Sequence, residues 1–159
     1  MINRFEKIKL LVTDVDGVMT DGGMYYFDND TEGKKFNTRD GLGIQLLRKK
    51  GIKVGILTQE NNPLIAKRAK KLEVEFCRMG IMDKAEVLDN MRGLYELTWE
   101  QVAYVGDDIN DIGALELAGI AMCPIDAMPE VQAICDPIIY VKGGSGVIRD
   151  IYERYFKWQ

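Results

Sequence analysis

Histidine is missing from all 159 residues of this chain. Its absence excludes Ser-His-Asp and Cys-His nucleophilic catalysis, phosphohistidine chemistry and His-ligated zinc together. Cysteine is scarce. Cys77, Cys123 and Cys135 are odd in number and form no Cys-x-x-Cys, which argues for reduced core residues and against a disulfide framework or a zinc site. No apolar run reaches the roughly 18 residues of a membrane span, and the opening MINRFEKIK lacks the apolar centre of a signal peptide. These two absences predict a cytoplasmic protein with no membrane partner. Basic charge is not in excess either: the net charge is −4, which argues against general nucleic-acid binding and leaves any anionic ligand to a local cluster of Lys and Arg. Without a P-loop, a nucleoside triphosphate is not the obvious ligand. Chemistry here has to run on carboxylates, Lys and Thr, with or without a metal.

What is present is an ordinary globular composition, 47% hydrophobic and 29% charged, long enough for one core and hence one domain over residues 1–159. The chain is organised around Leu10 to Gly22, LLVTDVDGVMTDG. An apolar run ends in two aspartates one residue apart, followed by Gly17, a Thr and a third aspartate. The run reads as a buried strand and the Asp-rich stretch as the loop leaving its carboxyl end, where open parallel sheets bind ligands. Two carboxylates so close need a divalent cation or a shared proton to coexist in a dry site. A turn that uses Asp and Gly for its geometry alone is the other reading of this stretch.

Taken in order, the pattern predicts a strand over Lys7 to Thr13. A hairpin comes after it, with arms Gly23 to Phe27 and Lys34 to Asn37 around the turn Asp28 to Gly33. Its Tyr25, Tyr26 and Phe27 carry enough apolar surface to pack on the main body or on another subunit. Next come a helix over Asp40 to Lys50 closed by Gly51, a strand Ile52 to Leu57, a basic helix Pro63 to Leu72, a short strand Val74 to Cys77, and a helix Asp83 to Leu97 capped by Asp83. The apolar run Val102 to Val105 breaks into Gly106-Asp107-Asp108-Ile109-Asn110-Asp111. A helix through Leu117, a strand Ile120 to Cys123, a short helix from Pro129, a strand Ile138 to Val141 and a helix from Val147 complete the chain. Alternating strands and helices predict an α/β, Rossmann-like three-layer sandwich with a parallel central sheet.

Right-handed crossovers open all parallel strand ends on one edge. Asp14 and Asp16, then Thr58, then Asp107 and Asp108 therefore share a site, with Lys84 at the start of an intervening helix. Clustered Asp oxygens suit Mg²⁺, a hard cation that commonly partners phosphate, and Lys suits the remaining phosphate charge.

The order DVDG, Thr58, Lys84, GDD with Asn110-Asp111 resembles the haloacid dehalogenase superfamily of phosphatases. DVDGVMTDGGMYY, KKFNTRDGLGI, VAYVGDDIND and GGSGVIRD extend the likeness over nearly the whole chain to the 3-deoxy-octulosonate 8-phosphate phosphatase family, which includes nononate 9-phosphate phosphatases and resembles the C-terminal domain of some CMP-sialic acid synthetases. The resemblance implies Asp14 as nucleophile and Asp16 as the acid that protonates the departing sugar oxygen and then takes a proton from water. It implies Mg²⁺ on Asp14, the Asp16 backbone carbonyl and Asp107, with Thr58 and Lys84 on the phosphoryl group. Asp108, Asn110 and Asp111 would orient waters or substrate, and a helix cap is the alternative for the stretch Asp107 to Asp111, Asp111 included.

An acidic sugar phosphate needs further positive charge. The candidates are the Asn37-Thr38-Arg39-Asp40-Gly41 stretch, Arg68 and Lys71 on the basic helix, and Arg149. After Thr58, octulosonate members continue Gly-Arg, whereas this chain has Gln59 and Glu60, a Glu that resembles the nononate branch. The spacings from Asp16 to Thr58 and from Thr58 to Lys84 leave no room for a cap domain. A neighbouring subunit is then the natural lid, and the resemblance implies a homotetramer with hairpins joined at its centre. The reading is an Mg²⁺-dependent phosphatase for a 2-keto-3-deoxy sugar acid; the alternatives are another small sugar phosphate as substrate, or a non-catalytic tetramerisation module.

Overall fold

The structure, a computed structural model, describes residues 4–158. The chain runs β1 (Leu10–Thr13), the hairpin β2 (Tyr25–Tyr26) and β3 (Glu32–Gly33), α1 (Thr38–Lys49), β4 (Lys53–Leu57), α2 (Pro63–Leu72), β5 (Phe76–Arg78), α3 (Lys84–Leu94), β6 (Val102–Val105), α4 (Ile112–Leu117), β7 (Ile120–Pro124), α5 (Pro129–Gln132), β8 (Ile138–Ile139) and α6 (Val147–Ile151). Six strands form one parallel sheet in the order β5-β4-β1-β6-β7-β8. The expected three-layer α/β architecture is what the chain adopts, with the hairpin outside it and no cap domain among the described residues.

Alternation along the strands builds the two cores, because successive side chains leave opposite faces of a sheet. Leu11, Val54, Ile56, Ala103 and Val105 face one side, where Ile44 and Leu47 of α1, Ile65 and Leu72 of α2 and Ile148 of α6 cover them. Leu10, Val12, Leu57, Val102 and Tyr104 face the other, under Leu88 and Met91 of α3 and Leu115 of α4. β1, at the centre and buried on both faces, has to be apolar at nearly every position, hence LLVT. No helix of the described residues is long and apolar enough to cross a membrane.

Several boundaries differ from the sequence pattern for local reasons. α1 begins at Thr38, two residues before the expected start, because the Asn37 side chain accepts the Arg39 amide and caps it. α3 ends at Leu94 rather than Leu97, where Glu96 takes a left-handed conformation. In the hairpin, Glu32 and Gly33 form the second strand instead of the turn. The turn closes over Phe27 to Thr31, with the Phe27 amide bonded to the Thr31 carbonyl and the Asn29 side chain accepting the Thr31 amide. Lys34 is thereby freed from pairing and leads back toward the sheet edge. Tyr25, Tyr26 and Phe27 stay exposed in the single chain.

The packing of α1 on α6 is set by Gly43 and Asp40. A Cβ on Gly43 would lie 2.8 Å from the Arg149 backbone. Asp40, 1% exposed, accepts the Ile148 amide at 2.8 Å and holds the first turn of α6, while its other oxygen is buried without a partner. Burial pushes this carboxyl up to about 6, against the pull of the Ile148 and Arg149 amides. A folded pKa above the unfolded value of about 4 gives stability that is complete below about pH 4 and lost as pH rises through about 6, a swing of roughly 3 kcal/mol. Asp40→Asn should remove that dependence. Urea midpoints of the parent and variant should favour the variant more at about pH 7.5 than at about pH 5, and parallel midpoints would refute the assignment.

Candidate active site

Strand register gathers the site. Thr13 of β1 lies beside Ile56 of β4 and Val105 of β6, so the loops after these strands leave the sheet at one level. Asp14 continues the ladder through its amide to the Val105 carbonyl at 2.9 Å. Thr58 is held by its amide to the Arg78 carbonyl and by the Ile81 amide to its own carbonyl. Gly17, at φ +84°, turns the first loop back under Asp107: a Cβ there would lie within 1.8 Å of an Asp107 carboxylate oxygen, so only glycine permits the approach.

At the floor, the Lys84 ammonium lies 3.1 Å from Asp14 Oδ1 and 2.7 Å from Asp111 Oδ1. Asp83 caps α3 by accepting the Glu86 amide, which fixes the first residue of the helix, Lys84, under the sheet edge. Asp111, 0% exposed, is fully engaged. Its Oδ1 also accepts the Tyr104 hydroxyl at 2.7 Å, and its Oδ2 accepts the amides of Asp107 at 3.0 Å and Asp108 at 3.4 Å. Asp111 thus ties the β6 loop to Lys84. Asp108 caps the next turn through the Ile109 amide.

Burial first, then the charge of Asp111, pushes Asp14 up to about 8, with Lys84 opposing. Burial, then Asp111 and Asp108, pushes Asp107 up to about 7. Lys84 is raised: burial works against its charge, but Asp14 and Asp111 outweigh it. Each of Asp14, Asp107 and Asp111 offers an oxygen within 4.8 Å of the others. Since the oxygens of Asp111 already accept four donors, Asp14 and Asp107 are the carboxylates left for a cation, and their suppressed ionisation marks where positive charge is lacking. The Asp16 side chain is outside that cluster.

Asp16 belongs to a second network that includes Lys34, a residue that, like Tyr104, the sequence pattern does not single out. The Lys34 ammonium bonds Asp16 Oδ1 at 2.7 Å and Glu60 Oε2 at 2.5 Å. Asn62 bridges Glu60 and Glu32 of β3, at 3.0 and 3.2 Å. Burial and then the bond to Glu60 push Asp16 up. For Glu60 burial acts upward too, but bonds from Asp16, Lys34 and Asn62 hold it below the usual carboxylate range. Of the two, Asp16 is therefore the carboxyl that keeps a proton more readily.

Above both networks lies a cleft of about 630 Å³ bordered by Asp14, Asp16, Thr58, Glu60, Asp107 and Asn110. Asn110 donates to Gln59 across it at 3.1 Å. The other substrate candidates lie elsewhere on the chain. Asn37, Thr38 and Arg39 line a separate groove with Gly144 and Ser145. Asp40 and Gly41 are buried, Arg68 donates to the Asn37 carbonyl, Lys71 is exposed on α2, and Arg149 pairs with Glu153. Position along the sequence does not reveal this split, because it arises from how α1 packs on α2 and α6. Nor does spacing single out Lys34, whose role depends on the length of the hairpin turn.

Comparison with known proteins agrees with this geometry. The family model for haloacid dehalogenase-like hydrolases matches residues 39–119. The 3-deoxy-D-manno-octulosonate 8-phosphate phosphatase KdsC of Haemophilus influenzae is 33% identical over 159 residues, covering 100% of this chain and 88% of its own. The structure of the corresponding phosphatase from Moraxella catarrhalis, in complex with magnesium ion, phosphate ion and a KDO molecule, superposes with a TM-score of 0.94 at 33% identity over 98% of this chain and 90% of that one. A probable YrbI family phosphatase from Pseudomonas syringae gives 0.91 at 38% identity, over 94% and 85%.

Proposed function

This chain belongs to the haloacid dehalogenase-like hydrolases and, among them, to the 3-deoxy-D-manno-octulosonate 8-phosphate phosphatase family; it is a phosphomonoesterase, and we propose that it removes the terminal phosphate of a 2-keto-3-deoxy sugar acid with Mg²⁺ as cofactor. The observation that carries this reading is the buried Asp14 carboxylate at the floor of the cleft, 3.1 Å from the Lys84 ammonium and within 4.8 Å of an Asp107 oxygen.

Asp14 and Asp107 fit a hard divalent cation, being oxygen donors held close in a buried setting short of positive charge. Asp14, Asp107 and the Asp16 backbone carbonyl would hold Mg²⁺, which would supply positive charge against the phosphoryl oxygens and between the carboxylates. The chain's own residues do the rest. Asp14 attacks phosphorus, forming an aspartyl-phosphate as the bond from phosphorus to the sugar oxygen breaks, while Asp16 delivers its proton to that oxygen. Water then attacks phosphorus, Asp16 takes its proton, and the bond to Asp14 breaks. Lys84 and Thr58 bind phosphoryl oxygens throughout. The upward push on the Asp16 carboxyl from burial and Glu60 supports the first step.

Within the cleft, Glu60 stands where octulosonate members of the family carry Arg, and it favours a nononate 9-phosphate through its acceptor oxygens. The separation of Arg39, Arg68 and Lys71 from the cleft, together with the exposed Met24, Tyr25, Tyr26 and Phe27, supports a homotetramer in which a neighbour completes the substrate site. The test is phosphate release with Mg²⁺ from octulosonate 8-phosphate and nononate 9-phosphate side by side. Hydrolysis should favour the nononate by at least about tenfold in kcat/KM, about 1.4 kcal/mol of transition-state binding. The reverse preference removes Glu60 as a specificity residue, and silence on both substrates removes the sugar-acid reading.

A further inference from the structure

The hairpin sends one side chain to two residues that border the cleft, Asp16 and Glu60. Lys34 comes directly after β3, and its four-carbon stem carries the ammonium under the Asp loop until the side chain is only 2% exposed. There it bonds Asp16 Oδ1 and Glu60 Oε2 together. The Thr20 hydroxyl donates to the same Asp16 oxygen at 3.2 Å. The hairpin base is anchored a second time through Glu32 and Asn62, so the ammonium is fixed from both ends of its reach.

We infer that Lys34 is the positioning residue of the proton donor in this reaction: by holding Asp16 Oδ1 it reserves Oδ2 as the oxygen that carries the proton to the departing sugar. An oxygen already accepting from an ammonium and a hydroxyl has no lone pair well placed for a proton. A free carboxyl can rotate about its χ2 bond and present either oxygen anywhere around that bond. With Lys34 in place one oxygen is pinned, which leaves Oδ2 for the proton on a residue that borders the cleft. General-acid efficiency depends on this geometry before anything else. The inference rests on the reading of Asp16 as the acid, and it adds a cause for its orientation.

The discriminating observable is leaving-group dependence. An alkyl phosphate needs its oxygen protonated as it departs, whereas nitrophenolate leaves as a stable anion and needs little help. With Mg²⁺ present, Lys34→Met should lower kcat/KM for octulosonate 8-phosphate or nononate 9-phosphate, whichever the parent prefers, by about 30-fold or more. The loss should be carried by kcat with KM nearly unchanged, and p-nitrophenyl phosphate should lose less than about threefold. Lys34→Arg, which keeps a donor to both carboxylates, should recover much of the sugar-acid rate. Equal losses on both substrates by a folded variant would overturn the inference and leave Lys34 a structural or phosphoryl contact. A raised KM for the sugar acid at constant kcat would overturn it in favour of direct substrate binding. A melting curve verifies that the variant folds. If Lys34→Met does not fold, Lys34→Gln carries the same comparison, with a neutral amide that fills the space between the carboxylates. A parent inactive on both esters would overturn the phosphatase reaction and this role with it.

Discussion

Asp14→Asn should give a folded protein whose turnover falls by on the order of 10⁴ or more, because the carboxamide keeps the size of the side chain and removes the nucleophile. Lys84 and Asp107 remain in place, so substrate binding should survive better than chemistry and the loss should appear in kcat. The same substitution has a second, opposite signature in stability. Without a cation, burial and the charge of Asp111 push Asp14 up to about 8. A carboxyl raised in this way contributes stability that is complete below about pH 4 and is lost as pH rises through about 8. The neutral amide should therefore melt at a higher temperature than the parent near pH 7 when divalent ions are chelated.

Adding Mg²⁺ reverses the order. A cation that binds only the folded parent stabilises it by about 2.7 kcal/mol at a hundred times its dissociation constant, and the variant, with one of its two available carboxylates gone, should gain little. Thermal melts of both proteins with chelator and with excess Mg²⁺ measure this directly, beside phosphate release. Turnover within tenfold of the parent would refute Asp14 as nucleophile. An equal Mg²⁺ shift in both proteins would refute its part in metal binding.

How much of the fold and the site is legible in the sequence depends on the physics of each element. β1, β4 and β6 announce themselves because a central parallel strand is buried on both faces and must be apolar throughout. The loops leaving their carboxyl ends meet at the same sheet edge by topology alone, so Asp14, Asp16, Thr58, Asp107 and Asp108 can be grouped without coordinates. Lys84 joins them because a capped helix start fixes where its first residue lies. The hairpin is harder. Its register depends on a five-residue turn closed by Asn29 and a left-handed Asp30, and a shift of that turn decides whether Lys34 pairs in a strand or reaches the site. Tyr104 hides for another reason. Inside VAYV it reads as one more apolar residue of a buried strand, and only its hydroxyl at 2.7 Å from Asp111 distinguishes it. The surroundings of the basic candidates Arg39, Arg68 and Lys71 depend on how α1 and α2 pack, which spacing does not encode.

Asp111→Asn should destabilise the fold by about 3–5 kcal/mol, the cost of breaking a buried ion pair by altering one partner. Four donors converge on this carboxylate: Lys84 and Tyr104 on one oxygen, the Asp107 and Asp108 amides on the other. An amide in its place turns one of the two acceptors into a donor. In one orientation its NH₂ meets the ammonium and the hydroxyl, and in the other it meets two backbone N–H groups, so each leaves buried donors unpaired. Tyr104→Phe serves as the calibration. It removes a single neutral donor while Lys84 still satisfies the same oxygen, and it should cost only about 1 kcal/mol. Urea unfolding at constant m-value separates the two. Activity should fall as well in Asp111→Asn, since Lys84 is then held by Asp14 alone and the loop that carries Asp107 loses its anchor. A destabilisation no larger than that of Tyr104→Phe would mean that the amides and the ammonium find other partners, and that Asp111 is not the tie between the β6 loop and α3.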